Sequence, residues 1–326
     1  MTLIISEHVK QAMHSGYPVV ALETAVLTAG LPKTSWRTRY GHCPSYIDES
    51  LPINIALAQA MNTRIASKNA MPVWIGVLDG VLHIGLSPDQ LNKLARDEDA
   101  GKVSYANIAN TINEGKSAGT TVATTLLACK LASPKNPIRV FATGGIGGVH
   151  KNWTINFDVS ADLLALASTP TCVVASGAKS ILDLHATVES LETLGVPTLG
   201  YKCDRFPPFI EQSSNKDPHI TKTNSSEEIA KMCNTHWKSL SLSSAVLAAV
   251  PAPETTALKR GSMQSELAIA EKSWAEQGLP SATRTPFLLD ALATATKGNS
   301  LIANLELLCN NASVAAELSV CYAQLN

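Results

Sequence analysis

Short, wholly apolar runs, each closed by small or turn residues, alternate along this chain with stretches whose apolar positions recur at helical spacing. The strand-like runs are 18–23 (PVVALE), a pair within 72–87, 102–105, two within 138–184, 196–201 and 245–250. Helical patterns fill 53–66, the residues around Leu91 and Leu94, 119–129, and 162–167. They continue through Ile181, Leu184, Val188 and Leu191, then 226–240, 263–277, 286–296 and a long stretch from Leu301. Strand-then-helix units with short links predict an α/β fold. The expected form is a single layered α/β/α domain over 1–326, its largely parallel sheet covered by helices on both faces.

Punctuation supports the pattern. Asp79-Gly80 predicts the turn of a hairpin within 72–87. Ser87-Pro88-Asp89-Gln90 reads as a capping box with proline at the first helical position, and Ser225 with Glu228 as a second box. Ser160 is the expected cap of the 162–167 helix. Two stretches have no period: 32–52, read as a surface loop or an insertion, and the Pro- and Ser-rich 206–226.

Composition narrows the partners. With 45% hydrophobic residues there is ample material for a core, and a net charge of −1 without a polybasic run argues against nucleic acid or a membrane surface. Seven scattered cysteines, with no CxxC pair and no zinc spacing, read as reduced thiols of an intracellular protein. The first residues lack a signal-peptide pattern, and no run has the length and apolarity of a membrane helix. The expectation is a cytoplasmic protein with a small-molecule substrate.

Candidate chemistry gathers in 141–184, FATGGIGGVHKNWTINFDVSADLLALASTPTCVVASGAKSILDL. Lys179 follows an apolar strand, where a lysine is costly to bury unless paired or functional. It is either a nucleophilic amine for a carbonyl or the ion-pair partner of Asp183, four residues on. Asp158 and Asp162 flank a helix start, as ligands of a hard divalent cation or as complements to the helix dipole. Gly144–Gly148 is neither a P-loop nor a dinucleotide fingerprint. It is a tight turn or a place where backbone approaches a ligand. His150 is a base, a phosphate contact or a solvated loop residue. Glu23, ending its strand, is a candidate buried acid. The hydroxyl-rich start of 119–129 offers N–H groups to an anion.

Longer words decide between these readings. PVVALET (18–24), LHIGLS (82–87), KVS (102–104), GTTVATT (119–125), FATGGIGGVH (141–150), FDVSADL (157–163), VVASGAKSILDL (173–184), LETLGVPTLGY (191–201), TPFLL (285–289) and SLIANLELLCNNA (300–312) closely resemble the pseudouridine-5′-phosphate glycosidase family, in order and over essentially the whole chain. The resemblance implies reversible cleavage of the C–C glycosidic bond of pseudouridine 5′-phosphate to uracil and ribose 5-phosphate. Lys179 falls on the Schiff-base lysine, Glu23 on the proton donor and Asp158 on the ligand of a divalent metal, usually Mn²⁺. Lys102, Val122, Ser160, Ala161 and Asp162 fall on substrate-binding positions, and His150 and Asn304 on active-site positions. A homotrimer is implied as well.

The chain also departs from that pattern. Ala29 stands where the family has a histidine, about twenty residues at about 33–51 are inserted relative to it, and Tyr105-Ala106 stand where it has two arginines. The second hairpin's Gly-Gly is Asp79-Gly80, a glycine-rich loop is replaced at 240–244, and Val250 replaces an asparagine. These changes keep two alternatives open: a divergent enzyme of another ribosyl or sugar phosphate, and a nucleotide-binding homologue with weak catalysis.

Overall fold

The computed structural model describes residues 2–37, 40–151, 153–278 and 284–325, the side chains of 156, 285 and 286 aside. Its strands are β1 (Leu3–Ile5), β2 (Val19–Glu23), β3 (Met71–Leu78), β4 (Val81–Ile84), β5 (Gly101–Val103), β6 (Ala118–Thr120), β7 (Val140–Ala142), β8 (Cys172–Ala175), β9 (Thr198–Tyr201), β10 (Thr221–Thr223) and β11 (Val246–Ala249). Among the described residues all eleven join one sheet, in the order β1-β4-β3-β2-β7-β8-β11-β9-β10, with β6 on β3 and β5 on β6. Every pairing is parallel except those of β3 with β4 and with β6. The central strands β7, β8 and β11 are buried at every position, as a sheet covered on both faces requires.

The helices are α1 (Glu7–Ser15), α2 (Ile53–Ala66), α3 (Pro88–Arg96), α4 (Ile108–Asn113), α5 (Val122–Ala132), α6 (Trp153–Asn156), α7 (Ala161–Ser168), α8 (Leu184–Thr193), α9 (Ser226–Asn234), α10 (Gln264–Glu276), α11 (Arg284–Ala295) and α12 (Asn299–Ala323). Helix α12 packs against α2, α9 and α11 and against β2, β7 and β8, while α5 packs on α7. The expected hairpin is β3–β4, with Asp79 and Gly80 both at positive φ, as a type I′ turn demands. Ser87 and Gln90 form the reciprocal box at the start of α3.

Four expectations need correction. The helix expected over 119–129 starts only at Val122, because 118–120 is strand β6. Apart from half-buried Thr121 and Leu127 that run is buried, so it carries no polar stripe to mark the boundary. The helix expected to 240 ends at Asn234 and continues as a π-helical turn, Thr235–Ser239. The 32–52 stretch, whose positions 38–39 lie outside the described residues, is no loose surface loop. An antiparallel bridge between Ser35 and Pro52 closes it, and Tyr40 and Ile47 are buried in the core. Segment 206–226 contains β10 and is tied down by Arg260, which bonds buried Glu211 and Asp217 at 2.7 Å each.

One feature of the sheet positions the site. Strand β2 runs beside β3 from Val19 opposite Met71 to Glu23 opposite Ile75, and there it stops. The next positions of β3, Gly76 and Val77, pair with β6 instead. Thr24 bridges the change of neighbour: its hydroxyl donates to Ile75 O at 2.6 Å and accepts from Thr120 N at 3.1 Å. Backbone groups that lose a ladder partner thus find a side chain. Glu23 is left at the carboxyl end of a parallel strand, where α/β sheets open their ligand crevices.

Candidate active site

Residues far apart in the sequence meet in a cavity of about 420 Å³ at that crevice. Of the ten residues singled out in the sequence, all but Val122 line it: Glu23, Lys102, His150, Asp158, Ser160, Ala161, Asp162, Lys179 and Asn304. Val122 is the first residue of α5 and its side chain is in the core, so what it offers a ligand is backbone.

Glu23 keeps a little exposure to the cavity, but protein surrounds it. Burial pushes its pKa from the ordinary 4.5 to about 7, against the opposing pull of the Lys179 charge and a hydrogen bond from Thr143. The Thr143 hydroxyl donates to Glu23 Oε1 from the residue after β7. Lys102, on β5, is pushed below the ordinary lysine value by burial and by the Lys179 charge.

Lys179 is held through its backbone, its N–H donating to Ile146 O at 3.2 Å. The ion pair with Asp183 does not form. Asp183 instead caps α8, accepting from Ala186 N at 3.0 Å. Ahead of Lys179, Gly177 has φ of 66°, and a Cβ there would lie 1.9 Å from Pro207 O, so glycine is required on both counts.

Asp162 is the anion that the hydroxyl-rich segment was expected to face. It is buried, with Oδ1 accepting from Ala123 N at 2.9 Å and Oδ2 from Gly147 N at 2.8 Å. The carboxylate thereby joins the start of α5 to the glycine-rich loop. Ser160 caps α7 through Asp162 N and also donates its own N–H to Gly148 O at 2.9 Å. A Cβ on Gly147 would come within 2.2 Å of Ser160 Oγ, so the glycine run serves close approach of chain to chain.

Asp158 and His150 form the outer wall with a residue the sequence reading missed, Arg284 at the start of α11. Its Nη1 lies 3.1 Å from Asp158 Oδ2 and 3.1 Å from His150 Nδ1, and Nη2 donates to Glu271 Oε1 at 2.9 Å. An imidazole can accept at Nδ1 only when neutral. Burial above all holds His150 below its ordinary pKa, against the pull of the Asp158 charge and with a smaller push from Arg284, in agreement. A divalent cation fits poorly here. Asp158 Oδ2 already receives a guanidinium, and no group of three or more His, Cys, Asp or Glu able to hold a metal exists among the described residues.

Asn311 was missed too. Fully buried on α12, it donates to Thr143 O at 2.8 Å and exchanges hydrogen bonds with Ser176. It therefore fixes the ends of β7 and β8 relative to each other. Asn304, two turns earlier on α12, reaches the cavity itself.

The chain is similar throughout to characterised folds and sequences. Residues 46–321 match the family model described as indigoidine synthase A like protein. The pseudouridine-5′-phosphate glycosidase of Dinoroseobacter shibae is 40% identical over 96% of this chain and 94% of its own. Pseudouridine-5′-phosphate glycosidase 2 of Rhizobium johnstonii is 40% identical over 100% of this chain and 98% of its own. Among solved structures, prealnumycin C-glycosynthase AlnA in complex with ribulose 5-phosphate superposes with a TM-score of 0.82 at 29% identity, covering 100% of this chain and 98% of that one. An indigoidine synthase A-like protein of Thermotoga maritima gives 0.81 at 31% identity, covering 98% and 96%.

Proposed function

The chain belongs to the pseudouridine-5′-phosphate glycosidase family, and from that premise we propose that it splits the C–C glycosidic bond of pseudouridine 5′-phosphate, reversibly, into uracil and ribose 5-phosphate. The observation that carries the reading is the meeting of Lys179 and a carboxyl poised near neutrality, Glu23, in one cavity of nucleotide size.

A C-glycoside has no heteroatom leaving group, so protonation and hydrolysis alone do not break it. In the proposed route the C1′–O4′ bond breaks, the ring oxygen taking up a proton, and the Lys179 amine adds at C1′ and gives up a proton, leaving an open-chain secondary amine. C5 of the base takes up a proton, the C1′–C5 bonding pair of electrons returns to the base as the lysine nitrogen lone pair forms the C1′=N iminium, and water then hydrolyses the iminium, releasing ribose 5-phosphate from the lysine. Glu23 is the proton source. A carboxylic acid with a pKa of about 7 carries its proton in a large share of molecules at neutral pH. Lys102, Ser160, Ala161, Asn304 and the backbone at Val122 surround the sugar phosphate in this reading, and Asp162 holds their loops together. No step is routed through a metal.

A cytoplasmic location and a homotrimer belong to the same proposal. No helix among the described residues is long and apolar enough to cross a membrane. Ile155, Phe157 and Leu164 are 81%, 78% and 61% exposed on the segment that carries Asp158, an apolar surface suited to a second copy of the chain.

The test is uracil release from pseudouridine 5′-phosphate, with and without Mn²⁺, combined with borohydride trapping. Release together with a ribose phosphate adduct on Lys179, both lost in Lys179→Ala, is the expected result. Turnover that survives Lys179→Ala would overturn the mechanism, and no uracil release by the folded protein would overturn the substrate.

A further inference from the structure

The residue that the family resemblance assigns to a metal already has a cation against it. The Arg284 guanidinium is held on three sides: by Asp158 and His150 at 3.1 Å, by Glu271 at 2.9 Å, and by the Trp274 ring, 5.7 Å from its carbon to the centroid. Its side chain is only 19% exposed, so the charge is built into the cavity wall and is not a passing surface contact. A divalent ion bonded to Asp158 Oδ2 at about 2.1 Å would have this guanidinium as its near neighbour, and like charges at that range exclude each other. A guanidinium also keeps its charge across the working pH range and presents N–H groups in a planar fork suited to phosphate oxygens.

We propose that Arg284 is the resident cation at Asp158: it keeps divalent metal off that carboxylate and supplies, to an anionic group in the cavity, the positive charge a metal would supply. The second half rests on the sugar-phosphate reading above; the first half does not. Placement makes the charge part of the α10–α11 unit, since Glu271 and Trp274 lie on α10 and Arg284 opens α11. His150 accepts from the guanidinium and Asp158 pairs with it, so both outer-wall residues are oriented by one side chain.

The experiment is a titration of chelator-stripped protein with MnCl₂, free Mn²⁺ being followed by its electron paramagnetic resonance spectrum. The wild type and Arg284→Lys are expected to leave the metal free, while Arg284→Gln takes up one ion at least ~10-fold more tightly and loses it again when Asp158→Asn is added. Uptake of one ion by the wild type that Asp158→Asn abolishes would overturn the proposal, whether or not Arg284→Gln folds. In the second arm, calorimetry in EDTA follows ribose 5-phosphate. The wild type should bind it, and Arg284→Gln should bind at least ~10-fold more weakly and recover with Mn²⁺. Equal binding by both proteins in EDTA would overturn the second half. Binding to neither, with or without Mn²⁺, would overturn the sugar-phosphate reading instead and leave the Mn²⁺ arm to decide on Arg284.

Discussion

Replacing Glu23 by glutamine should make the protein more stable at alkaline pH, by an amount the cavity sets. Burial lifts the carboxyl from 4.5 to about 7. A shift of that size is worth about 3 kcal/mol of preference for the neutral acid in the folded state. Below about pH 4.5 the folded and unfolded chains both carry the proton, and the shift contributes nothing. Between about pH 4.5 and 7 the unfolded chain ionises while the folded one keeps its proton, so the folded protein loses stability as pH rises. Above about pH 7 the loss is complete. Glutamine has no proton to lose, and its carbonyl can still accept from the Thr143 hydroxyl. Urea unfolding curves of the two proteins should therefore lie close together near pH 5 and separate as pH rises, with Glu23→Gln ahead by up to about 3 kcal/mol near pH 8. In a Lys179→Ala background the separation should start at the same pH but continue to higher pH and end larger, because the Lys179 charge is what draws Glu23 back down. Parallel curves from about pH 5 to 8 would refute the burial argument.

Other outcomes follow from the same geometry. Asp162→Ala leaves the buried N–H groups of Ala123 and Gly147 without their acceptor, and unfolding should lose about 3 kcal/mol; Asp162→Asn should lose less, and equal losses would count against the clamp. Gly177→Ala meets both positive φ and Pro207 O, whereas Gly195→Ala meets positive φ with open space. The first should cost at least ~2 kcal/mol and the second about 1, measured by urea unfolding. Ile155→Asp with Phe157→Ser should lower the mass seen by light scattering; an unchanged trimer, or a monomeric wild type, would remove that surface from the assembly.

Local signals were readable where an element meets solvent on one side. The Asp79-Gly80 turn and the Ser87 box are written in adjacent residues, and each stands where its chemistry places it. The bounds of α2, Ile53–Ala66, are those its apolar pattern predicts. By contrast, 118–132 is mostly small and mostly buried, exposed only in its last turn, so nothing in its pattern separates β6 from α5. Nor did any period mark β1, α1 or β10, which are short edge elements. The site divides along the same line. Its words within 141–184 were visible because they are contiguous, and Lys179 and Asp162 stood out as charges amid apolar residues. Thr143 as partner of Glu23, Arg284 of Asp158 and Asn311 of Thr143 were not visible, since 120, 126 and 168 residues separate these pairs. A periodicity reaches only a few turns; a hydrogen bond across the fold leaves none.

Helix α12 has a consequence for how the protein is made. Its Asn311 ties the ends of β7 and β8, and its Asn304 completes the cavity. While the ribosome is still short of residue 304, the nascent chain can hold every catalytic candidate except Asn304 and yet have no floor beneath Thr143. Synthesis at roughly 5–20 residues per second leaves the central strands waiting several seconds for that helix, with the apolar surface it will cover open to solvent. The interval between translating Lys179 and translating Asn311 is thus when this enzyme is most exposed to aggregation and most in need of a chaperone.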